Sequence, residues 1–550
     1  MQLFLLRRNK ILFAVILALL IVALFSALHL VPLRAEEPRR AIVALEMLLS
    51  GNFISPTING IFYYNKPPLY NWFLASLFTV FGSYADWIVR LPSPLFLLLT
   101  GALNYYLVRR YTQSVETAAL SSLFYITSGD ILFYFSMLGE IDIFYTFLVY
   151  CQAMTIFVGY ERGNWKLLFI ASYFFMAAGL LTKGLPSLPF QAITLLAVAA
   201  YKRQWRWLFS VWHFVGIGLL GMLVGGYFYK YSSYNSAAIY LLKLFTESSQ
   251  HSALEKTLWN SVQYWVTFPL MLAKLLLPWT LAAVFLAQTG TWQRIKQQPL
   301  LHFSAWFVLA NIGIYWLSPG TRDRYLYMFL PFLSIIIAYF YAHTPPNNKQ
   351  HTWFRYIVGG LLTIIVVAFA VLPFVPDLQQ IAHLLPISVF FVLAGLAIIY
   401  LFYRRSFPDI LLLALGVVLL RCAFNLVIVP TQALTIDQKI YTESAKKILA
   451  LTNSKPIFLY GDLHTENAYF QPMGKVLLDV AYVQPPFLPF QTSFYLSRAN
   501  KHIIQCSNKL LPTQYYIANQ AQLPTTNIRV LYQFYEPRNK ATYVLFEVVK

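Results

Sequence analysis

Charge and cysteine are both scarce in this 550-residue chain, and each shortage argues against a class of protein. Charged side chains make up only 11% of the residues, whereas an ordinary soluble domain has about 25%. The three cysteines, Cys151, Cys422 and Cys506, are too few and too scattered for a disulfide framework or a zinc site. No dense cluster of Asp or His side chains indicates a required metal. The composition therefore argues against an ordinary soluble domain and against one held together by disulfides or zinc.

Apolar residues are abundant instead, at 58% of the chain, and the mean hydropathy is +0.58. Apolar runs of about 18 to 22 residues recur through the first 430 positions, and each is long enough to cross a bilayer. The pattern predicts a polytopic α-helical membrane protein with about 13 transmembrane helices. The predicted spans cover residues 11–31, 91–108, 116–137, 143–159, 166–182, 185–201, 207–228, 263–286, 300–317, 325–342, 355–374, 384–402 and 409–429.

The net charge of +20 is typical of nucleic-acid-binding proteins, but in a membrane protein Lys and Arg mark the cytoplasmic loops. The N-terminal "MQLFLLRRNK" has its bases before the first apolar run, which we interpret as an uncleaved span that starts in the cytoplasm. Alternating the spans from there puts basic loops such as "YERGNWK" and "YKRQWR" inside and the acidic pairs outside. This pattern predicts a cytoplasmic N-terminus, contact with membrane lipids and no nucleic-acid partner.

Two domains are predicted, a transmembrane domain over 1–430 and a small α/β extracytoplasmic domain over 431–550. In the second, "KPIFLYGD", "GKVLLDVAYV", "TQYYIANQ" and "ATYVLFEVV" are typical of strands, and "TIDQKIYTESAKKILALTN" of an amphipathic helix. The outer loop 33–90 between the first two spans is expected to hold two interfacial helices. Pro38 begins one over 38–50 and Pro67 begins the other over 67–80.

Several ionisable residues follow the spans that end on the outer side. Taken one at a time they are equally well explained as helix caps or as bases that reach toward lipid headgroups. Together they suit a reaction between a polar acceptor and a phosphate-linked lipid, with bases that hold the phosphate and a carboxylate that takes a proton. They are Glu36, Glu37, Arg39, Lys66, Glu140, Asp142, Lys183, Arg322, Asp323 and Arg324.

Four motifs in the first outer loop, in order and at matching spacing, resemble a known family. They are Glu36-Glu37-Pro38-Arg39, Met47 to Asn52, Lys66 to Trp72 and Arg90 to Ser93. The loop resembles that of the bacterial lipid-linked-sugar transferases, which comprise the aminoarabinose transferase that modifies lipid A and the related protein O-mannosyltransferases. "IDIFYTF", "TKGLP" and "RYLYMFLPF" also look like segments of this family. The resemblance covers roughly residues 10–340.

The resemblance implies a class C glycosyltransferase fold in a bacterial inner membrane, with the active site and the C-terminal domain on the periplasmic side. The donor would be a sugar on a polyprenyl phosphate, and the acceptor lipid A, another envelope glycan or a protein. The first family acid, the catalytic acid or base, falls on Glu36, where Asp is usual, so either Glu36 or Glu37 is the base. The second family acid falls on Asp142, and the resemblance implies that these three carboxylates are the catalytic residues. The donor phosphate would be held by residues drawn from Lys66, Arg39, Tyr63, Arg322, Arg324 and Tyr325.

No cofactor is expected to be required. A divalent metal is possible at His251 with Glu247 or Glu255, although metal sites usually have a fuller ligand set. Two other functions compete with the transferase. A lipid or sugar-lipid transporter or flippase would explain many spans, but it favours broken helices and polar residues in mid-membrane. A non-catalytic sugar-lipid-binding or assembly protein would not need both acidic pairs.

Overall fold

The computed structural model describes residues 6–249, 258–434, 436–461, 488–507, 509–525, 527–536 and 540–549. Most of these residues are helical. The helices of the first half are α1 (Arg7–Phe25), α2 (Glu37–Ser50), α3 (Leu69–Phe81), α4 (Asp86–Arg90), α5 (Pro92–Thr112), α6 (Val115–Ile126), α7 (Gly129–Phe133), α8 (Ile141–Glu161), α9 (Trp165–Lys183), α10 (Ser187–Lys202), α11 (Val211–Leu220), α12 (Gly226–Tyr231) and α13 (Ala237–Ser249).

The second half adds further helices, a long 3-10 segment and a sheet. The helices are α14 (Leu258–Leu275), α15 (Thr291–Gln297), α16 (Pro299–Asn311), α17 (Gly313–Trp316), α18 (Leu330–His343), α19 (Lys349–Val371), α20 (Leu384–Tyr403), α21 (Asp409–Ala423), α22 (Val429–Leu434), α23 (Ile436–Thr452) and α24 (Phe490–Asn500). Asp323–Phe329 forms the 3-10 segment immediately before α18.

Two compact units divide the chain. The helical unit consists of Met1–Leu30, Arg90–Gly226 and Glu247–Gln432, and the mixed unit of Val31–Val89, Tyr227–Thr246 and Ala433–Lys550. The mixed unit therefore combines the outer loop with the C-terminal region, whereas the predicted domains separate at residue 430. Within it, the Tyr495 hydroxyl accepts a hydrogen bond from the Leu33 N–H at 2.8 Å, and Arg498 forms an ion pair with Asp86 at 2.8 Å.

The helical unit holds helices that are long and apolar enough to cross a bilayer, so the chain is a polytopic helical membrane protein. Nine such helices occur in the part of the chain that the structure describes, or up to eleven if two bent pairs each count as one span. The bends are 50° between Ile126 and Gly129, and 109° between Leu275 and Trp279. At the predicted spans 185–201 and 300–317 the helices α10 and α16 have only 16 and 13 residues. The number of 13 spans stays a prediction.

Small and polar residues hold the helical unit together, as is usual where lipid removes the hydrophobic drive between helices. A Cβ on Gly159 of α8 would lie 2.6 Å from Leu168 Cβ and 2.8 Å from its backbone nitrogen, so the glycine lets α8 and α9 approach closely. Buried side chains bond between helices. Gln152 donates to Gln191 Oε1 at 2.9 Å, and the Tyr150 hydroxyl donates to Asn104 Oδ1 at 2.8 Å. These contacts hold α8 against α5, α9 and α10.

In the mixed unit, the chain between the first two predicted spans contains two longer helices, α2 and α3, besides the start of the short α4. The helix α2 has Pro38 in its first turn, where the missing N–H costs nothing, and ends at Gly51 with φ of 69°. The helix α3 begins directly after Pro68 and ends at Gly82 with φ of 59°. Between them lies the short antiparallel pair β1 (Thr57–Ile58) and β2 (Ile61–Phe62). The predicted helices over 38–50 and 67–80 thus have counterparts, while their place at a membrane interface stays a prediction.

A four-stranded sheet also lies in the mixed unit, with the strands β3 (Ile457–Leu459), β4 (Tyr515–Asn519), β5 (Ile528–Glu536) and β6 (Ala541–Val548). Its order is β3–β4–β6–β5, with β3 parallel to β4 and the other pairs antiparallel. Three strand-like segments of the sequence lie in it, whereas "GKVLLDVAYV" falls outside the described residues. The strand β5 and the helix α24 were not predicted.

Candidate active site

In the helical unit, a buried ion pair joins the start of one long helix to the end of another. Asp142 lies in the first turn of α8 and Lys183 is the last residue of α9, and Lys183 Nζ lies 2.6 Å from Asp142 Oδ1. Each charge suits its helix end, since carboxylates are favoured at the positive N-terminus and cations at the negative C-terminus. Only 3% of the Asp142 side chain and 7% of the Lys183 side chain are exposed.

The 3-10 segment adds a second cation to this pair. Arg324 Nη1 lies 2.5 Å from Glu140 Oε2, and Arg324 Nε lies 3.7 Å from Asp142 Oδ2. The next residue, Tyr325, has its ring centre 4.2 Å from Lys183 Nζ, and the Tyr145 ring centre lies 5.0 Å from the same atom. We call Glu140, Asp142, Lys183 and Arg324 the charge cluster.

The charge cluster contains two carboxylates and two cations, so its formal charge is zero. Burying an isolated charge is costly, and pairing with close hydrogen bonds makes it tolerable. Lys183 and Arg324 also face aromatic rings, which attract cations through their negative faces. The arrangement keeps two cationic groups in a largely water-excluded place, where they can bind an anion more strongly than exposed bases can.

In the mixed unit, the two adjacent glutamates at the start of α2 have different surroundings. Glu36 forms an ion pair with Arg39 at 2.8 Å, and 22% of its side chain is exposed. Glu37 is fully buried, and its Oε2 accepts a hydrogen bond from the Arg34 N–H at 2.9 Å. In return the Glu37 N–H donates to the Arg34 carbonyl, across a turn in which Ala35 has φ of 54°. Glu37 thus stabilises the turn before α2, while Glu36 is the more accessible carboxylate.

A buried arginine that the sequence analysis did not single out bonds to Tyr63. Arg40 is 4% exposed, and its Nη1 donates to the Tyr63 hydroxyl at 2.9 Å. The Tyr63 hydroxyl in turn donates to Asn65 Oδ1 at 3.3 Å. Arg39 instead places its guanidinium 4.8 Å from the centre of the Phe490 ring. The two consecutive arginines therefore make different contacts, and Arg40 connects α2 to the segment that leads to Lys66.

Glu46 is a second residue that the sequence analysis did not identify. Its fully buried carboxylate accepts three hydrogen bonds, from the Thr57 hydroxyl at 2.7 Å, the Asn59 N–H at 2.6 Å and the Gly60 N–H at 3.2 Å. Burial raises the pKa of Glu46 to about 7, against these hydrogen bonds, which lower it. Glu46 closes the turn between β1 and β2 and thereby fixes the course of the outer loop.

The described chain matches solved structures over nearly its whole length. ArnT from Cupriavidus metallidurans, crystallised with undecaprenyl phosphate, aligns with a TM-score of 0.68 at 16% identity, covering 98% of both chains. The apo form of the same protein aligns with a TM-score of 0.66 at 15% identity, covering 97% of both. The chain has the fold of a class C membrane glycosyltransferase. This confirms the class C fold that the outer-loop motifs implied.

Sequence relatives agree with the class C fold. The chain is 26% identical over 335 residues to the undecaprenyl phosphate-alpha-4-amino-4-deoxy-L-arabinose arabinosyl transferase of Pseudomonas aeruginosa, and 24% identical over 337 residues to one from Proteus mirabilis. These alignments cover 58% of this chain and 59% and 58% of the relatives. The chain thus matches less than two thirds of the length of these curated relatives. The dolichyl-phosphate-mannose-protein mannosyltransferase family matches residues 65–225. The predicted family resemblance is confirmed.

The class C fold brings some of the predicted site residues together within each unit. In the helical unit, Asp142, Arg324 and Tyr325 lie in or beside the charge cluster. The Arg322 side chain is exposed and makes no hydrogen bond or ion pair with any residue that the structure describes. In the mixed unit, Glu36 pairs with Arg39, and Tyr63 precedes Lys66 in the outer loop. The roles of all nine predicted residues stay predictions.

The suggested divalent site lies outside the described part of the chain. His251 and Glu255 lie outside the described residues, as does the side chain of Glu247. Among the residues with described positions, no group of three or more His, Cys, Asp or Glu side chains could hold a metal ion.

Proposed function

We propose that the chain is a polyprenyl-phosphate-sugar-dependent glycosyltransferase, which transfers the sugar to an extracytoplasmic acceptor such as lipid A, another envelope glycan or a protein. The observation that carries the proposal is the charge cluster, which holds a buried lysine and a partly buried arginine on a fold shared with a protein crystallised with undecaprenyl phosphate. Relatives named as arabinosyl transferases that use an undecaprenyl-phosphate sugar support the same donor class.

In the proposed reaction the cations stabilise the polyprenyl phosphate as it leaves. The acceptor oxygen forms a bond to the anomeric carbon, and the bond from that carbon to the phosphate oxygen breaks with its electron pair on the phosphate. The phosphate gains negative charge in this step, so preorganised cations lower the barrier. Lys183 and Arg324 would act here through the charge cluster, and Lys66 from the outer loop. Asp142 would keep the two cations in place and is a positioning residue in this scheme.

Glu36 is the better candidate for the base that takes the acceptor proton. A general base must reach the proton that it removes, within hydrogen-bond distance or through one water molecule. The Glu36 carboxylate is partly exposed and held by Arg39, whereas Glu37 is buried and bonded to its own turn. The proposed role of Glu37 is therefore structural. The proposed setting is a bacterial inner membrane with these residues on the periplasmic side and the N-terminus in the cytoplasm.

The test is transfer by the purified full-length chain in liposomes, with an undecaprenyl-phosphate sugar as donor and envelope extracts as acceptors. Mass spectrometry of lipids and glycans from cells with and without the chain would identify the sugar and the acceptor. Released undecaprenyl phosphate in equal amount to a new glycoside supports the proposal. Movement of the donor between leaflets without any glycoside would instead identify a transporter and refute it.

A further inference from the structure

Lys66 lies in a part of the outer loop where two prolines reduce the number of backbone donors. It follows β2 by four residues and precedes Pro67 and Pro68, which have no N–H to donate. The residue before a proline is also restricted to extended conformations. Fixing the position of the Lys66 backbone therefore depends on contacts from elsewhere in the chain.

One such contact comes from the segment 227–246 of the same unit. Tyr240 of α13 is fully buried, and its hydroxyl donates a hydrogen bond to the Lys66 carbonyl at 2.8 Å. The Tyr240 ring packs edge-on against Tyr64, with centroids 5.7 Å apart. Asn235 Nδ2 donates to the Tyr64 hydroxyl at 2.6 Å, so two hydrogen bonds join this segment to the stretch of outer loop that contains Lys66.

Aromatic rings hold Tyr240 in this orientation. The Tyr231 ring lies 4.9 Å from the Tyr240 ring and Phe228 lies 5.6 Å from it, and Tyr231 is also fully buried. A rigid aromatic side chain that loses little freedom on bonding is well suited to fixing a loop. Lysine has a flexible four-carbon stem, so the reach of its ammonium group depends on where its backbone is held.

We propose that Tyr240 is a positioning residue for Lys66, whose hydrogen bond to the Lys66 carbonyl sets the place from which the ammonium group binds the donor phosphate. The inference rests on the proposed function, in which Lys66 binds that phosphate. It assigns to the segment 227–246 an indirect role in phosphate binding, through the Lys66 backbone. A functional site held by such supporting contacts loses affinity when they are removed, although every binding group remains.

The test is the affinity of the purified full-length chain for undecaprenyl phosphate, measured by microscale thermophoresis, and kcat/KM for the donor. Tyr240→Phe removes the hydroxyl and keeps the ring. The matched control is Tyr231→Phe, since the Tyr231 hydroxyl is buried in the same group of rings and lies near Asn235 and Tyr64 rather than bonding to the Lys66 carbonyl. Loss of one neutral hydrogen bond predicts about a 3- to 10-fold weaker affinity for Tyr240→Phe, and less than about a twofold change for the control.

A double mutant separates positioning from general damage. If Tyr240 acts through Lys66, Tyr240→Phe has no further effect in a chain that already carries Lys66→Ala. Equal losses in both backgrounds, or equal losses for Tyr240→Phe and Tyr231→Phe, would overturn the inference. So would a Lys66→Ala variant that binds undecaprenyl phosphate as tightly as the wild type. A chain that binds the phosphate with this pattern but transfers no sugar would refute the proposed function and keep the inference.

Discussion

Replacing Asp142 with asparagine tests whether the charge cluster is a true buried network. Asp142 is 3% exposed and contacts Lys183 Nζ at 2.6 Å and Arg324 Nε at 3.7 Å. Breaking a buried ion pair by removing one partner costs about 3–5 kcal/mol, because the other charge stays buried without it. The amide of the variant would still offer an oxygen to Lys183, and the Tyr325 ring would still face the ammonium at 4.2 Å. We therefore expect a loss of about 2–4 kcal/mol in the free energy of unfolding.

The matched control is an exposed ion pair on the same 3-10 segment. Asp323 pairs with Lys274, with side-chain exposures of 35% and 58%. Exposed pairs contribute about 0–1 kcal/mol, so Asp323→Asn should lower stability by no more than that. Reversible unfolding in mixed SDS micelles, followed by tryptophan fluorescence, gives both free energies under one condition.

A double mutant adds a second check on the size of the effect. In the variant Asp142→Asn with Lys183→Gln the buried cation is gone as well, so the two losses should not add, and a coupling of about 0.5–3 kcal/mol is expected. Additive losses, or equal losses for Asp142→Asn and Asp323→Asn, would show that the buried pair is no stronger than an exposed one. The reasoning about the charge cluster would then be refuted.

Three further predictions concern single residues. Glu36→Gln should lower the rate of sugar transfer by about 10²–10⁴-fold, as for a lost general base. Glu37→Gln should keep the transfer rate within about tenfold of the wild type and lower the free energy of unfolding by about 1 kcal/mol. Equal transfer rates in the two variants would contradict the assignment of the base. Gly159→Ala should destabilise the chain by about 1–3 kcal/mol, because the new Cβ would clash with Leu168. Gly360→Ala has nothing within 4 Å of the new Cβ, so it should stabilise α19 by up to about 1 kcal/mol. Measuring the free energy of unfolding of each variant tests both expectations. The pKa of Glu46 is raised to about 7, against 4.5 for a free glutamate. The protonated side chain therefore stabilises the fold fully below pH 4.5, and about 3 kcal/mol of this stability is lost as the pH rises to 7. Unfolding free energies measured between pH 4.5 and 8 should fall with this slope in the wild type and not in Glu46→Gln.

The sequence predicted much of the helical unit because long apolar runs have few alternatives in a membrane. It was less reliable where a helix breaks. The 109° bend falls beside Pro278, and the 50° bend falls at Thr127 and Ser128, where no proline marks it. In both places the apolar composition continues through the bend, so hydropathy alone predicts one straight span. Side-chain and backbone contacts from other helices decide the geometry there.

The candidate site could be predicted in its residue types but not in its pairings. Motif spacing pointed to Asp142 and Lys66, yet the contact of Asp142 with Lys183 depends on how two antiparallel helix ends align. Arg40 was missed because nothing in "EEPRR" shows which arginine faces inward. Glu46 did leave a signal, since it is a lone acid within the apolar run "AIVALEMLL". Such an acid indicates burial with hydrogen-bond partners, and its partners, Asn59 and Gly60, become apparent only once the β1–β2 turn is formed.

The zero formal charge of the charge cluster constrains how it could bind a phosphate. Lys183 and Arg324 already have carboxylate partners at 2.6 and 2.5 Å, so an arriving phosphate competes with those partners or shares the cations with them. Sharing is geometrically possible because an ammonium has three donors and a guanidinium five. A site that starts neutral binds a phosphate monoester less tightly than bare cations would, and its attraction grows with the charge that the phosphate gains on leaving. Under the proposed function, the carboxylates therefore lower the affinity of the charge cluster for the polyprenyl phosphate below that of bare cations, which favours its release once the sugar has moved.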